Sequence, residues 1–303
     1  MRERSEKGAR VGSVRASWRA LMLGAFLTPG LAAAFDPTPL WNFDDPVQSE
    51  HRFRAALAKS TGDDAFVLQT QIARTYGLRR EFAKARRILH RLDAQLPEAG
   101  PEARTRYWLE RGRTYSSATH PPESQTDDAR QRARTAFLRA YEYARFDRLD
   151  ALAVDALHML AFVDTAPTDQ LRWGELALDV ALASPQAQAN AWEASLRNNV
   201  GYALLAMGRN DEALTQFEAA LALREKAGDA ESTWIARWMV ARTLRAQGRV
   251  DDALLIQHRI ERERNAAHAP DPEVFEELAL LYRAKGDVAS AEAYATRART
   301  RAD

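Results

Sequence analysis

Six histidines, at positions 51, 90, 120, 158, 258 and 268, are the first side chains to weigh for acid–base or metal chemistry. None lies in an H-E-x-x-H helix motif or beside a tight carboxylate cluster, so no zinc site is encoded locally. His158, between Leu157 and Met159, reads as a helix histidine rather than a ligand. The chain contains no Cys, which excludes thiol nucleophiles, disulfides and Cys-bound metal. No Gly-rich phosphate loop and no Ser nucleophile elbow occurs. The acidic pairs Asp63–Asp64, Asp127–Asp128 and Asp251–Asp252 stand where helices should begin. Negative charge suits that position because the first backbone N–H groups are unpaired. The expectation is a protein that is not an enzyme and carries no catalytic residues, no cofactor and no metal. What remains is recognition chemistry. Arg can fork onto a carboxylate, and Asn can both donate to and accept from a peptide backbone.

Charge and composition limit the partners. Lys plus Arg number 43 against 42 Asp plus Glu, so no overall basic field exists to recruit nucleic acid. Hydrophobic residues make up 46% of the chain, and Gly and Pro are few at 14 and 12, which favours helices over sheet. The first segment reads as a signal peptide over residues 1–34. Arg2, Arg4, Lys7, Arg10, Arg15 and Arg19 outweigh Glu3 and Glu6, and an apolar stretch over 20–34 ends in Ala32-Ala33-Ala34. That ending has the small-x-small form of a cleavage site. The stretch is shorter than the ~20 residues needed to span a bilayer. The expected product is a slightly acidic bacterial protein, periplasmic or secreted. Without Cys it has no lipidated N-terminus, and so no membrane anchor after cleavage.

The elements that must position the recognition residues repeat along the chain. In 197–225, two amphipathic helices flank Met207-Gly208-Arg209-Asn210. Val200, Gly201 and Leu204 recur at helical spacing in the first, and Ala213, Phe217, Ala220 and Leu221 in the second. A small residue, an aromatic four later and another small residue let two helices cross closely while the ring fills the gap. The same frame appears at 66–97, with Arg80 replacing the turn glycine, and at 105–146, with a longer loop between its helices. It is weak at 150–183. It returns at 234–260, where Gln257 holds the Phe position, and at 272–300, where Ala295 holds it. The small residue of the second helix falls at 85, 133, 174, 213, 253 and 291. Residues 36–41 are expected to be extended because of Pro37 and Pro39, and 47–60 to form a capping helix, which an open solenoid end requires. The repeat region is taken as 66–303.

This unit resembles the tetratricopeptide repeat. Gly201, Gly208, Ala213, Phe217 and Ala220 match its pattern, while Arg197 and Leu204 replace its Trp and Tyr. The long spacing is similar to that of kinesin light chain repeats. The resemblance implies an all-α solenoid, a right-handed superhelix of about six helix pairs, with a groove lined by the first helix of each pair. It further implies a protein or peptide ligand in that groove. By position the groove should present Thr70, Arg74, Arg106, Arg113, Asn198, Asn199, Tyr202, Trp238, Arg242 and Arg245. The arginines would favour an acidic segment or a C-terminal carboxylate, unless they pair with carboxylates of neighbouring helices. The leading reading is an exported scaffold or adaptor. The alternatives are a peptide- or small-ligand-sensing regulator and an envelope enzyme with an unrecognised site.

Overall fold

A computed structural model of the chain describes residues 35–300, and the expected signal peptide lies outside them. Among the described residues every regular element is helical. Helix α1 (Pro46–Leu57) comes first. Three helix pairs follow: α2 (Gly62–Leu78) with α3 (Phe82–Leu92), α4 (Pro101–Arg113) with α5 (Asp127–Phe146), and α6 (Asp150–Val163) with α7 (Pro167–Ala183). A one-turn helix, α8 (Ala187–Asn190), bridges to three more pairs: α9 (Glu193–Ala206) with α10 (Asn210–Ala227), α11 (Ala230–Ala246) with α12 (Val250–Ala266), and α13 (Pro272–Ala284) with α14 (Val288–Arg299). Each pair packs on the next, and α1 packs on α2 as the expected cap, with Phe53 fully buried. Helix α2 begins at Gly62, with Asp63 and Asp64 in its first turn as expected, four residues before the start taken for the repeat region.

Residues 36–41 differ from the expectation of extended chain. Thr38–Leu40 form a 3-10 turn, closed by Leu40 N–H to Pro37 O and Trp41 N–H to Thr38 O, both at 3.1 Å. Proline fixes φ near −65°, a value that a 3-10 turn shares with extended backbone, and Pro37 takes the turn with ψ −10°.

The turn inside the repeats follows from one backbone device. Gly208, Gly248 and Gly286 take φ of +73°, +76° and +81°. The next residue then reaches back five positions, Arg209 N–H to Leu204 O at 3.0 Å and Arg249 N–H to Leu244 O at 2.9 Å, which closes the first helix. In the first repeat Arg80 adopts the same left-handed conformation at φ +62°, and Glu81 N–H reaches Tyr76 O at 2.8 Å. The turn geometry therefore persists where the glycine does not, and the arginine bears the strain.

Contact between the helices of a pair depends on a missing side chain. A Cβ on Gly201 would stand 2.8 Å from the ring of Phe217, and one on Gly112 would stand 2.4 Å from the ring of Phe137. Both rings are fully buried. Glycine at the crossing is what lets a phenyl ring lie between the two helices. The acidic pairs 127–128 and 251–252 fall in first helical turns as expected, beginning α5 and α12.

Candidate functional site

The first helices of consecutive pairs, α2, α4, α6, α9 and α11, share a face, and cavities follow one another along it. One of about 180 Å³ lies among α2, α4, α6 and the α4–α5 loop. The next, of about 270 Å³, lies between α6 and α9 and is lined by His158, Phe162, Asn198, Asn199 and Tyr202. A third of similar size lies between α9 and α11, lined by Tyr202, Leu205, Arg242 and Arg245. His158 borders the first two and Tyr202 the last two, so the three form one trough.

Most residues singled out in the sequence line it. Arg74 and Arg113 line the first cavity, Asn198, Asn199 and Tyr202 the second, and Arg242 and Arg245 the third. Trp238 lies against Arg242, its indole centroid 5.4 Å from the guanidinium carbon. Thr70 does not reach the trough: it is fully buried and donates to Val67 O at 2.7 Å. Arg106 is held by Glu102 at 2.7 Å.

The four trough arginines are not equivalent. Arg113 donates to both Glu110 and Asp155 at 2.5 Å, and Arg74 stands 3.7 Å from Glu110. Burial would raise the Asp155 carboxyl, but Arg113 and Arg74 outweigh it and hold the group below its ordinary value of 3.8. Burial and the neighbouring Arg113 together push Arg74 down, because two guanidiniums share two carboxylates. Arg74 also faces the rings of Trp41 and Phe43 at 5.5 and 5.6 Å. Arg245 forks onto Glu277 at 2.6 and 3.2 Å. Arg242 has no carboxylate within ion-pair distance among the described residues. It stacks instead against Tyr202 and Trp238, at 5.7 and 5.4 Å. Three of the four are thus neutralised within the protein, and Arg242 is not.

The amides divide in the same way. Asn199 Nδ2 donates to His158 Nδ1 at 3.2 Å. Burial holds the His158 imidazole below its ordinary value of 6.5, so at neutral pH its one proton sits on Nε2. Asn198 makes no side-chain hydrogen bond to a described residue, and it lines cavities on both sides of α9. His158 and Phe162 belong to the trough although sequence reasoning passed over them. Their helix carries the weakest repeat pattern, and the signal that could have placed them was its rank as the first helix of a pair. Trp41, outside the repeats, stacks on Phe43 at 4.7 Å and donates to Gln71 Oε1 at 3.1 Å, so it packs on the first repeat.

Among the described residues no group of three or more His, Asp or Glu could hold a metal ion, and no helix is long and apolar enough to cross a membrane.

Paired antiparallel helices stacked in one direction, with a trough along their first members, define an α-solenoid. Residues 192–259 match the tetratricopeptide repeat family, and the fold is that of a tetratricopeptide solenoid. The chain is similar in structure to BtubC (BKLC) from P. vanneervenii, with a TM-score of 0.60 and 17% identity over 73% of this chain and 89% of that one. It is also similar to NprR in complex with its cognate peptide NprX, with a TM-score of 0.52 and 13% identity over 86% of this chain and 74% of that one. No curated protein matches the chain by sequence.

Proposed function

We propose that this chain is an exported, non-catalytic scaffold or adaptor that binds a protein segment or peptide along the trough of its first helices. The observation that carries the reading is the set of trough groups with no hydrogen-bond or carboxylate partner among the described residues: Asn198, the Tyr202 hydroxyl and Arg242. A half-buried guanidinium without a carboxylate, flanked by two aromatic rings, favours an anionic visitor. Asn198 suits the backbone of an extended segment whatever its side chains. NprR, which has a similar fold and was crystallised in complex with its cognate peptide, supports a peptide as the class of ligand. The ligand is a segment carrying Asp, Glu or a free C-terminus.

The test is panning of a random peptide library on the purified chain, with binders compared on the variants Asn198→Ala and Arg242→Ala. Binders should be enriched in acidic residues, weaken with added salt, and be lost on both variants while helical content stays unchanged. Retention of every binder by both variants would remove the trough from the argument. Export is checked separately, by mass spectrometry of the native protein: a mature chain starting near Phe35 is expected, and a chain retaining residues 1–34 refutes it.

A further inference from the structure

Five of the six repeats turn from first to second helix through three residues, as in Met207–Arg209 between α9 and α10. The second repeat instead spends residues 114–126 on this connection. The fold does not need the extra length, and the loop does not hang free. It folds back over the C-terminal end of α2. Thr119 Oγ1 donates to Gly77 O at 3.2 Å, the His120 ring stacks on Phe82 at 3.6 Å, and Arg86 donates to Thr114 O at 2.9 Å. Held there, Ser117, Ala118 and Thr119 become one wall of the cavity among α2, α4 and α6.

The adjoining wall, from α2, has a gap where a side chain would be. Gly77 lies three residues before the left-handed residue Arg80, and the same place before Gly208, Gly248 and Gly286 holds Leu205, Arg245 and Arg283. Glycine within a helix is unfavourable relative to alanine by roughly 0.5–1 kcal/mol. Elsewhere the structure shows why it is tolerated. Gly112, Gly174 and Gly201 each have a neighbour that a Cβ would press, and Gly208, Gly248 and Gly286 take positive φ. At Gly77 neither reason applies: φ is not positive, and a Cβ would meet nothing within 4 Å. Its missing side chain leaves open space, and that space is the cavity. Leu78, Met159 and Phe162 give the cavity an apolar side, and the ion-paired Arg74, Glu110 and Arg113 line the rest of it. Asn199 occupies Nδ1 of His158, which leaves the His158 Nε2–H without a partner among the described residues.

We propose that this cavity is an anchoring pocket for one bulky apolar side chain, of the Leu or Phe class, from a peptide lying in the trough, with a peptide carbonyl accepting from His158 Nε2–H. The proposal rests on the trough reading and adds a second specificity element to it. Arg242 selects charge between α9 and α11, and the Gly77 pocket selects an apolar residue between α2 and α6. The acidic and apolar positions of a ligand are therefore separated along its length.

The experiment uses the full chain labelled with 13C at the methyl groups of its five Met residues, titrated with N-acetyl-leucinamide, an uncharged probe that carries one apolar side chain and two carbonyls. The Met159 resonance, identified by its loss in Met159→Leu, should move on titration, and N-acetyl-glutamate amide should not move it. Gly77→Leu, which copies the residue at 205, should abolish the movement while keeping the wild-type Tm or raising it. Gly77→Ala, the milder change, should weaken it, and decides the matter if Gly77→Leu does not fold. No movement of Met159, or movement that persists in the filled variant, overturns the pocket. If panned peptides still depend on Asn198 and Arg242 in that case, the trough reading stands and the pocket alone is wrong.

Discussion

Gln257 gives the sharpest test of the packing. It occupies the position that Phe217 holds one repeat earlier, it is fully buried, and neither its Nε2 nor its Oε1 has a hydrogen-bond partner. A buried polar group left unpaired costs about 1–3 kcal/mol. Gln257→Met keeps the length of the side chain and removes both polar atoms, so the variant should be more stable by about that amount, or a Tm rise of about 2–4 °C per kcal/mol. Phenylalanine should not give the same gain. Facing Phe217 is Gly201, where a Cβ would stand only 2.8 Å from the ring, and the corresponding residue of the next repeat is Ala241. Gln257→Phe alone should therefore overpack, at a cost of about 1–3 kcal/mol. Adding Ala241→Gly should recover most of it, a coupling of about 0.5–3 kcal/mol in a double-mutant cycle. Urea denaturation followed by circular dichroism measures all four proteins. A Gln257→Met variant no more stable than the parent would show that the amide is satisfied in solution. Additive effects of the two changes in the cycle would show that positions 241 and 257 do not face each other.

Three further outcomes follow from the geometry. Gly112→Ala places a methyl 2.4 Å from the Phe137 ring and should lower stability by about 1–3 kcal/mol in the same denaturation assay; an unchanged midpoint would contradict the close crossing of α4 and α5. Arg80→Gly relieves a left-handed arginine at φ +62° and should raise stability by about 1 kcal/mol, with a fall in Tm counting against the strained turn. Burial holds His158 and His120 below 6.5 in the folded chain, so the unfolded chain takes up those protons first. Their contribution to stability is complete above pH 6.5 and is lost as pH falls through that value, with Asp155 adding loss of the same sign below 3.8. His158→Gln should flatten the dependence of Tm on pH just below 6.5, and an unaltered slope would mean that the imidazole is not desolvated.

The helix pairs were legible in the sequence because their cause is local. Gly208, Gly248 and Gly286 end the first helices by adopting a conformation that other residues resist, and Ala213 and Ala253 mark close crossings by their size alone. Periodicity sufficed to put Arg74, Arg113, Asn198, Tyr202 and Arg242 on first helices. It did not decide which of them would be free. Glu277 is 32 residues from Arg245, and Asp155 is 42 from Arg113, so their neutralisation depends on which helices the stack brings side by side. The same holds for Gly77. In the sequence it is a glycine near a helix end, and only the folded-back loop over 114–126 turns its missing side chain into a pocket. Chain-local preferences set where helices start and stop, while charge balance and empty space are properties of neighbours that the chain brings together only on folding.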